Sequence, residues 1–259
     1  MTDELAAMQP AFEPSDLQER MAETGVNGSV LVQTVADVDE TREFLAIAAA
    51  HAFIRGVVGW VDLTEAGVSD VLAELRAGPG GDKLVAIRHQ VHDETDAEWL
   101  SRADVRRGLR EVANAGLVFD LLVRTRELPS AIQLVRDMSG GRFVLDHLAK
   151  PPFVSGDLNA WSAQVRDLAR ADNVVAKVSG LVTEADWHAW SVATLQPAMD
   201  VALEAFGPER LMFGSDWPVC LLAATYDQVV GAARGLTASL TQAERAHVFE
   251  STAVAAYGL

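Results

Sequence analysis

The sequence predicts an α/β protein built as a (β/α)8 barrel, and three observations carry that prediction. Short apolar, β-branched runs alternate with amphipathic stretches from one end to the other. Those runs read as strands buried on both faces, which a parallel sheet covered by helices requires. The 259 residues match the length of one such barrel. No linker or shift in composition interrupts them, so residues 1–259 are expected to form a single domain.

Seven strands are expected, at Ser29–Val35, Ile54–Asp62, Leu84–Val91, Leu117–Val123, Arg142–Leu148, Val174–Gly180 and Leu211–Trp217. Between them, apolar residues recur every three or four positions: Val105, Leu109 and Val112; Leu128, Ile132 and Val135; Leu158, Trp161, Val165 and Leu168. Ser15 with Gln18, and Thr241 with Glu244, have capping-box spacing, while Gly25 and Gly116 suit the ends of helices. Pro197 should break or kink the segment from Glu184 to Phe206. One further helix, Ser15 to Thr24, precedes the first strand. A (β/α)8 barrel has a strand ahead of that helix, and residues 1–14 contain no convincing one. The first strand is therefore expected to be missing, which would leave two unpaired edges.

Composition narrows the function. A net charge of -16 argues against a nucleic-acid surface or an anionic membrane as partner. A single cysteine, Cys220, excludes intramolecular disulfides. The N-terminus has no basic segment followed by an apolar one, and the apolar window from Phe44 to Val61 is broken by His51, Arg55 and glycines. A cytoplasmic protein is expected, and a homo-oligomer is compatible with the sequence. There is no G-x-G-x-x-G after a strand, no Walker A pattern and no G-x-S-x-G elbow.

Ionisable residues gather where the strands end: Trp60 and Asp62; Arg88, His89 and His92; Asp120 and Arg124; Asp146, His147 and Lys150; Lys177 and Ser179; Asp216 and Trp217. Barrel enzymes assemble their active sites from these ends. Alternation groups Phe143, Leu145 and His147 on one face, and Met212, Gly214 and Asp216 on another. If both faces point inward, an imidazole and a carboxylate meet at the mouth, able to activate water, bind a metal or polarise a carbonyl. Arg88 and Gln90 cannot share a face with His89, and alternation does not decide which set faces the mouth. Arg88 and Arg124 suit anionic or polyhydroxyl ligands, or simply pair with Asp120 or Asp146. Lys177 fits a structural or substrate-orienting ion pair better than a Schiff base. Trp60 and Trp217 could stack on a sugar ring or planar ligand.

Five pieces together resemble the amidohydrolase-related family: Val57-Val-Gly-Trp-Val-Asp62; Ile87-Arg-His-Gln90; Phe143-Val-Leu-Asp-His147 with Lys150-Pro-Pro152; Lys177-Val-Ser-Gly180; and Gly214-Ser-Asp-Trp-Pro218. The similarity runs from about Pro14 to Leu259. It is closest to the sugar-lactonase-like branch, which includes fuconolactone and rhamnonolactone hydrolases. The resemblance implies a barrel that hydrolyses a small lactone, with Asp216 as the base that activates water and His147 beside it as a ligand for metal or substrate carbonyl. It implies substrate contacts in the region of Arg88 and His89, to which His92, Arg124, Lys150, Trp60 and Trp217 are added as candidates from their strand ends. Members of the family open with a strand carrying His-x-His, whereas no histidine here precedes His51. A divalent metal, zinc or manganese, would then have only His147 and Asp216 for ligands, short of the usual three. Two other readings share the motifs: a metal-dependent hydrolase or decarboxylase of an aromatic or dicarboxylic compound, and a truncated, catalytically impaired homologue.

Overall fold

A computed structural model describes residues 11–259. Seven parallel strands form one sheet in sequence order: β1 (Ser29–Val32), β2 (Ile54–Gly59), β3 (Leu84–His89), β4 (Val118–Leu121), β5 (Arg142–Leu145), β6 (Val174–Val178) and β7 (Leu211–Phe213). Each pairs with the next, through matches such as Arg88 with Asp120 and Lys177 with Met212. The sheet is curled as a half-barrel, and among the described residues β1 and β7 are its edges. The expectation that no strand precedes the first helix falls mainly on residues 1–10, which lie outside the described residues.

Every strand is shorter than its sequence candidate, because the polar C-terminal ends leave the ladder and become loops at the mouth. The helices between them are α1 (Pro14–Thr24), α2 (Val38–Ala50), α3 (Val68–Ala77), α4 (Ala103–Asn114), α5 (Leu128–Asp137), α6 (Asn159–Leu168), α7 (Leu181–Glu184), α8 (Val192–Phe206) and α9 (Tyr226–Leu236). After α9 come α10 (Gln242–Ala246), a π-turn at His247–Ser251 and α11 (Thr252–Tyr257). The capping box at Thr241 and Glu244 forms. The first one shifts to Glu13 and Asp16, since Pro14 is pre-organised for the first helical position and starts the helix a residue early. Pro197 does not end its helix; α8 runs through it, held by the buried Leu195, Ala198, Met199 and Ala202. The break falls instead at 185–191, where a turn leaves His188 exposed rather than helical.

The strands bury two faces, as their composition requires. Val57, Ile87, Phe119, Phe143, Leu145 and Leu211 pack against the helices in the main core. Val58, Ala86, Val118, Val144 and Met212 line the other face, which α11 covers with Ala253, Ala256 and Tyr257. Tyr257 then reaches the polar layer above: its hydroxyl donates to Asp120 Oδ2 at 2.8 Å, and its ring lies 5.6 Å beneath the Lys177 ammonium. No helix among the described residues is long and apolar enough to cross a membrane.

Removing the hydroxyl with Tyr257→Phe should take from the buried Asp120 Oδ2 one of its two donors, leaving the Lys177 ammonium. The expected cost is about 1–3 kcal/mol of unfolding free energy, read as a lower denaturant midpoint at unchanged m-value.

Candidate active site

On the concave face the side chains change from apolar to charged as the strands approach the mouth. Ala86 is followed there by Arg88, Val118 by Asp120, Val144 by Asp146 and Val175 by Lys177. These four form a continuous buried network. Lys177 Nζ lies 2.6 Å from Asp120 Oδ2 and 2.7 Å from Asp146 Oδ1. Arg88 donates from Nη1 to Asp146 Oδ2 at 2.9 Å and from Nε to Gln33 Oε1 at 2.8 Å, and its remaining nitrogen donates to the Gln33 carbonyl. Two cations balance two carboxylates, so the layer carries no net charge. Burial opposes ionisation of Asp146, but Lys177 and Arg88 outweigh it and hold the carboxyl below its usual range. Burial likewise opposes the charge on Lys177, and Asp120 and Asp146 outweigh it, raising the ammonium well above an ordinary lysine. For Asp120 burial wins, lifting the carboxyl to about 6 against the pull of Lys177.

Asp146 is also the root of an unusual turn. His147, Leu148, Ala149 and Lys150 all have positive φ, 52°, 50°, 57° and 53°. Left-handed backbone costs a non-glycine residue roughly 1 kcal/mol or more, so four in succession need external support. The charge network fixes one end, Leu148 and Ala149 are fully buried, and Trp161 of α6 donates from Nε1 to the Leu148 carbonyl at 2.7 Å.

This turn corrects the alternation argument. Phe143 and Leu145 face the helices, while Val144 faces the concave side and Asp146 its charge layer. Continued extension would have carried His147 away from the barrel axis. The left-handed turn brings it back, with Nδ1 2.8 Å from Ser179 Oγ and Nε2 3.8 Å from Asp216 Oδ1. Asp216 itself adopts φ 56° just beyond β7, and its side chain retains 18% exposure at the mouth. Gly180 makes the convergence sterically feasible: at φ +64°, a Cβ there would lie 2.8 Å from His147 Nδ1 and 3.2 Å from Asp216 Oδ2. Burial lowers the His147 pKa, more than the nearby Asp216 and Asp146 carboxylates raise it. The imidazole is thus neutral at pH 7. A carboxylate can only accept, so facing Asp216 places the ring proton on Nε2 and lets the Ser179 hydroxyl donate to Nδ1.

The other candidates fall into separate groups. Lys150, at the end of the turn, pairs with Glu184 Oε1 at 2.7 Å. His92 has Nε2 3.4 Å from Asp93, and its buried Nδ1 has no hydrogen-bond partner among the described residues. Burial lowers its pKa too. Arg124 is exposed, and its backbone N–H donates to Glu127 Oε2. Trp217 packs edge-on against Phe12 with centroids 5.1 Å apart. His89 points away from the network. Its Nδ1 accepts from Trp60 Nε1 at 2.9 Å, its Nε2 meets Glu94 Oε1 at 2.7 Å, and its ring stacks on Trp99 at 4.3 Å. Both ring nitrogens of His89, and all three guanidinium nitrogens of Arg88, are therefore engaged within the protein.

A family model described as amidohydrolase matches residues 1–259. The chain belongs to the amidohydrolase family. An L-fucono-1,5-lactonase of Burkholderia multivorans is 40% identical over 257 residues, covering 95% of this chain and 86% of that protein. An L-fucono-1,5-lactonase of Burkholderia ambifaria is 36% identical over 222 residues, covering 86% of this chain and 75% of that one. The crystal structure of a Burkholderia multivorans amidohydrolase with bound zinc superposes with a TM-score of 0.94 at 37% identity, covering 100% of this chain and 92% of that chain.

In this amidohydrolase, His147 and Asp216 are the residues from which a metal site was expected, and they face each other at 3.8 Å. No group of three or more His, Cys, Asp or Glu side chains suited to a metal occurs among the described residues. A two-donor set falls short of the three or four protein ligands of tight zinc sites, so these residues do not by themselves fit the ion, and no step below passes through one. Cys220 is buried, which pushes its thiol up to about 12 and removes it from thiolate chemistry. Sequence reasoning noted Ser179 at its strand end without giving it a role, and passed over Gly180 and Glu184. The pairing of a small hydroxyl residue with a glycine after Lys177-Val178 was the available signal for the first two. Nothing local marks Glu184.

Two outcomes follow for the pair. An ordinary histidine titrates near 6.5, and folded His147 titrates lower, so below about 6.5 the unfolded chain takes up the proton first. Stability should fall as pH drops from about 6.5 toward the folded pKa, and His147→Gln should flatten that part of a stability–pH profile. Gly180→Ala should cost about 1–3 kcal/mol in chemical unfolding, since its Cβ meets the His147 ring.

Proposed function

We propose that this amidohydrolase opens the ring of a sugar-derived lactone, with Asp216 as general base and His147 as hydrogen-bond donor. The observation that carries the reading is the facing of His147 Nε2 and Asp216 Oδ1, 3.8 Å apart, in a chain 40% identical to an L-fucono-1,5-lactonase.

A water beside the Asp216 carboxylate loses a proton to it and attacks the lactone carbonyl carbon. The developing oxyanion accepts a hydrogen bond from His147 Nε2–H, which Ser179 holds in place through Nδ1. As the tetrahedral intermediate collapses, the bond from the carbonyl carbon to the ring oxygen breaks. The proton held by Asp216 passes to that oxygen, giving the open hydroxy acid and restoring the carboxylate. A neutral His147 suits this role, because it donates from Nε2 while its Nδ1 accepts from the Ser179 hydroxyl that orients it. Lys150, Arg124 and His92 surround the same mouth and serve as substrate contacts, with Trp217 on the Asp216 side. Arg88 and His89 act in this reading by holding their neighbours rather than by touching substrate.

The finer fold belongs to the same proposal. Residues 1–259 are read as one domain of the (β/α)8 type, with β1 to β7 as seven of its strands. Phe12 lies against Trp217, and Met21 of α1 packs with Tyr226 and Val230 of α9. The chain therefore enters α1 beside the end of β7.

Hydrolysis of a panel of aldonolactones by wild type and Asp216→Asn tests the chemistry. The variant is expected to lose at least about 100-fold in kcat while binding substrate comparably. Equal rates for the two proteins would remove Asp216 from the role of base.

A further inference from the structure

Of the charged groups around the mouth, one ion pair is neither sealed into the network nor freely exposed. Lys150 and Glu184 meet at 2.7 Å, with 17% and 22% of their side-chain surface left to solvent. Lys177 and Asp146, by contrast, retain 11% and 0%. Both partners spring from the walls of the catalytic pair. Lys150 is the last residue of the left-handed turn that carries His147. Glu184 ends α7, which starts at Leu181 directly after Gly180, the residue wedged against His147 and Asp216. The ammonium adds to the burial that depresses ionisation of both His147 and His92.

We propose that Lys150 and Glu184 form a hydroxyl-recognising subsite, and that Glu184 makes the enzyme prefer uncharged, polyhydroxylated lactones; this rests on the lactonase reading. An ammonium has three donors and a carboxylate two acceptor oxygens. Their mutual bond uses one of each, leaving two donors and an acceptor oxygen side by side, the complement of neighbouring hydroxyls on one ring. Hydrogen bonds of this charge-assisted kind are shorter and stronger than those between neutral groups. The charge balance points to the same class of substrate. Arg88 and Lys177 are cancelled by Asp146 and Asp120, and Lys150 by Glu184. Among the described residues that leaves Asp216, which faces only the neutral His147, the exposed Asp93 beside His92 and the exposed Arg124. A substrate bearing several carboxylates would meet one exposed cation there and two acidic side chains.

The test compares two lactones of the same ring size, L-fucono-1,5-lactone and the unhydroxylated δ-valerolactone. Wild type is expected to favour the sugar lactone in kcat/KM. In Glu184→Gln the ratio of the two kcat/KM values should fall about tenfold or more, through KM rather than kcat. Lys150→Gln should move the ratio in the same direction, and Glu184→Asp should restore part of it. Turnover of δ-valerolactone by each variant reports that the catalytic pair is still assembled. Equal losses on both lactones, or no change in the ratio, would make the pair structural and overturn the proposal. A wild type that opens both lactones without preference would overturn it while leaving lactonase chemistry standing. A wild type that opens neither would remove both.

Discussion

Asp146 is the point on which the site depends. It is fully buried and gripped from two sides, by Arg88 and by Lys177. It stands where β5 ends and the left-handed turn begins. A buried carboxylate is tolerable only when its charge is met in this way, and the same contacts fix the origin of the next four residues. Without that anchor, nothing in the local sequence would hold four non-glycine residues at positive φ. Their strain is offset by burial of Leu148 and Ala149, by the Trp161 indole on the Leu148 carbonyl, and by the network beneath. The result is a histidine aimed across the mouth at a carboxylate from a strand two places away in the sheet.

The layers of the barrel divide the work. Its lower concave face is apolar and closed by α11, so the charge network rests on a dry floor rather than on water. Tyr257 links the two, because its ring belongs to the floor and its hydroxyl to the network. Low dielectric strengthens each pairing above it and makes any unmatched charge costly. The neutral sum of Arg88, Asp146, Lys177 and Asp120 is the arrangement such a setting favours. In the layer above, Asp216 and the Lys150–Glu184 pair remain in contact with solvent.

Much of this was legible in the sequence. Seven strands were readable because parallel strands buried on both faces are continuous apolar runs, and the polar strand ends marked the rim where the charged side chains converge. The pairing of Arg88 with a strand-end aspartate, and of Lys177 with carboxylates, followed from the cost of burying either cation alone. The path of His147 was not legible. Alternation rules assume the strand continues, and a left-handed turn without a glycine leaves no composition signal, since contacts distant in sequence impose it. For the same reason the orientation of His89 was undecidable. Its direction is set by Trp60 and Trp99, neither of which is a neighbour on β3. Glu184 was invisible because its partner lies 34 positions away and its own surroundings read as the start of the long segment that reaches Phe206.

The central claim is that the charge network acts on catalysis by aiming His147. Turnover of L-fucono-1,5-lactone by Asp146→Asn tests this most directly, since the substitution removes the anchoring charge while leaving Lys177 its pairing with Asp120 and Arg88 its bonds to Gln33. The account predicts a folded variant by circular dichroism whose kcat is lower by at least about 100-fold, although Asp146 touches neither water nor substrate. A folded Asp146→Asn enzyme with wild-type kcat would contradict it.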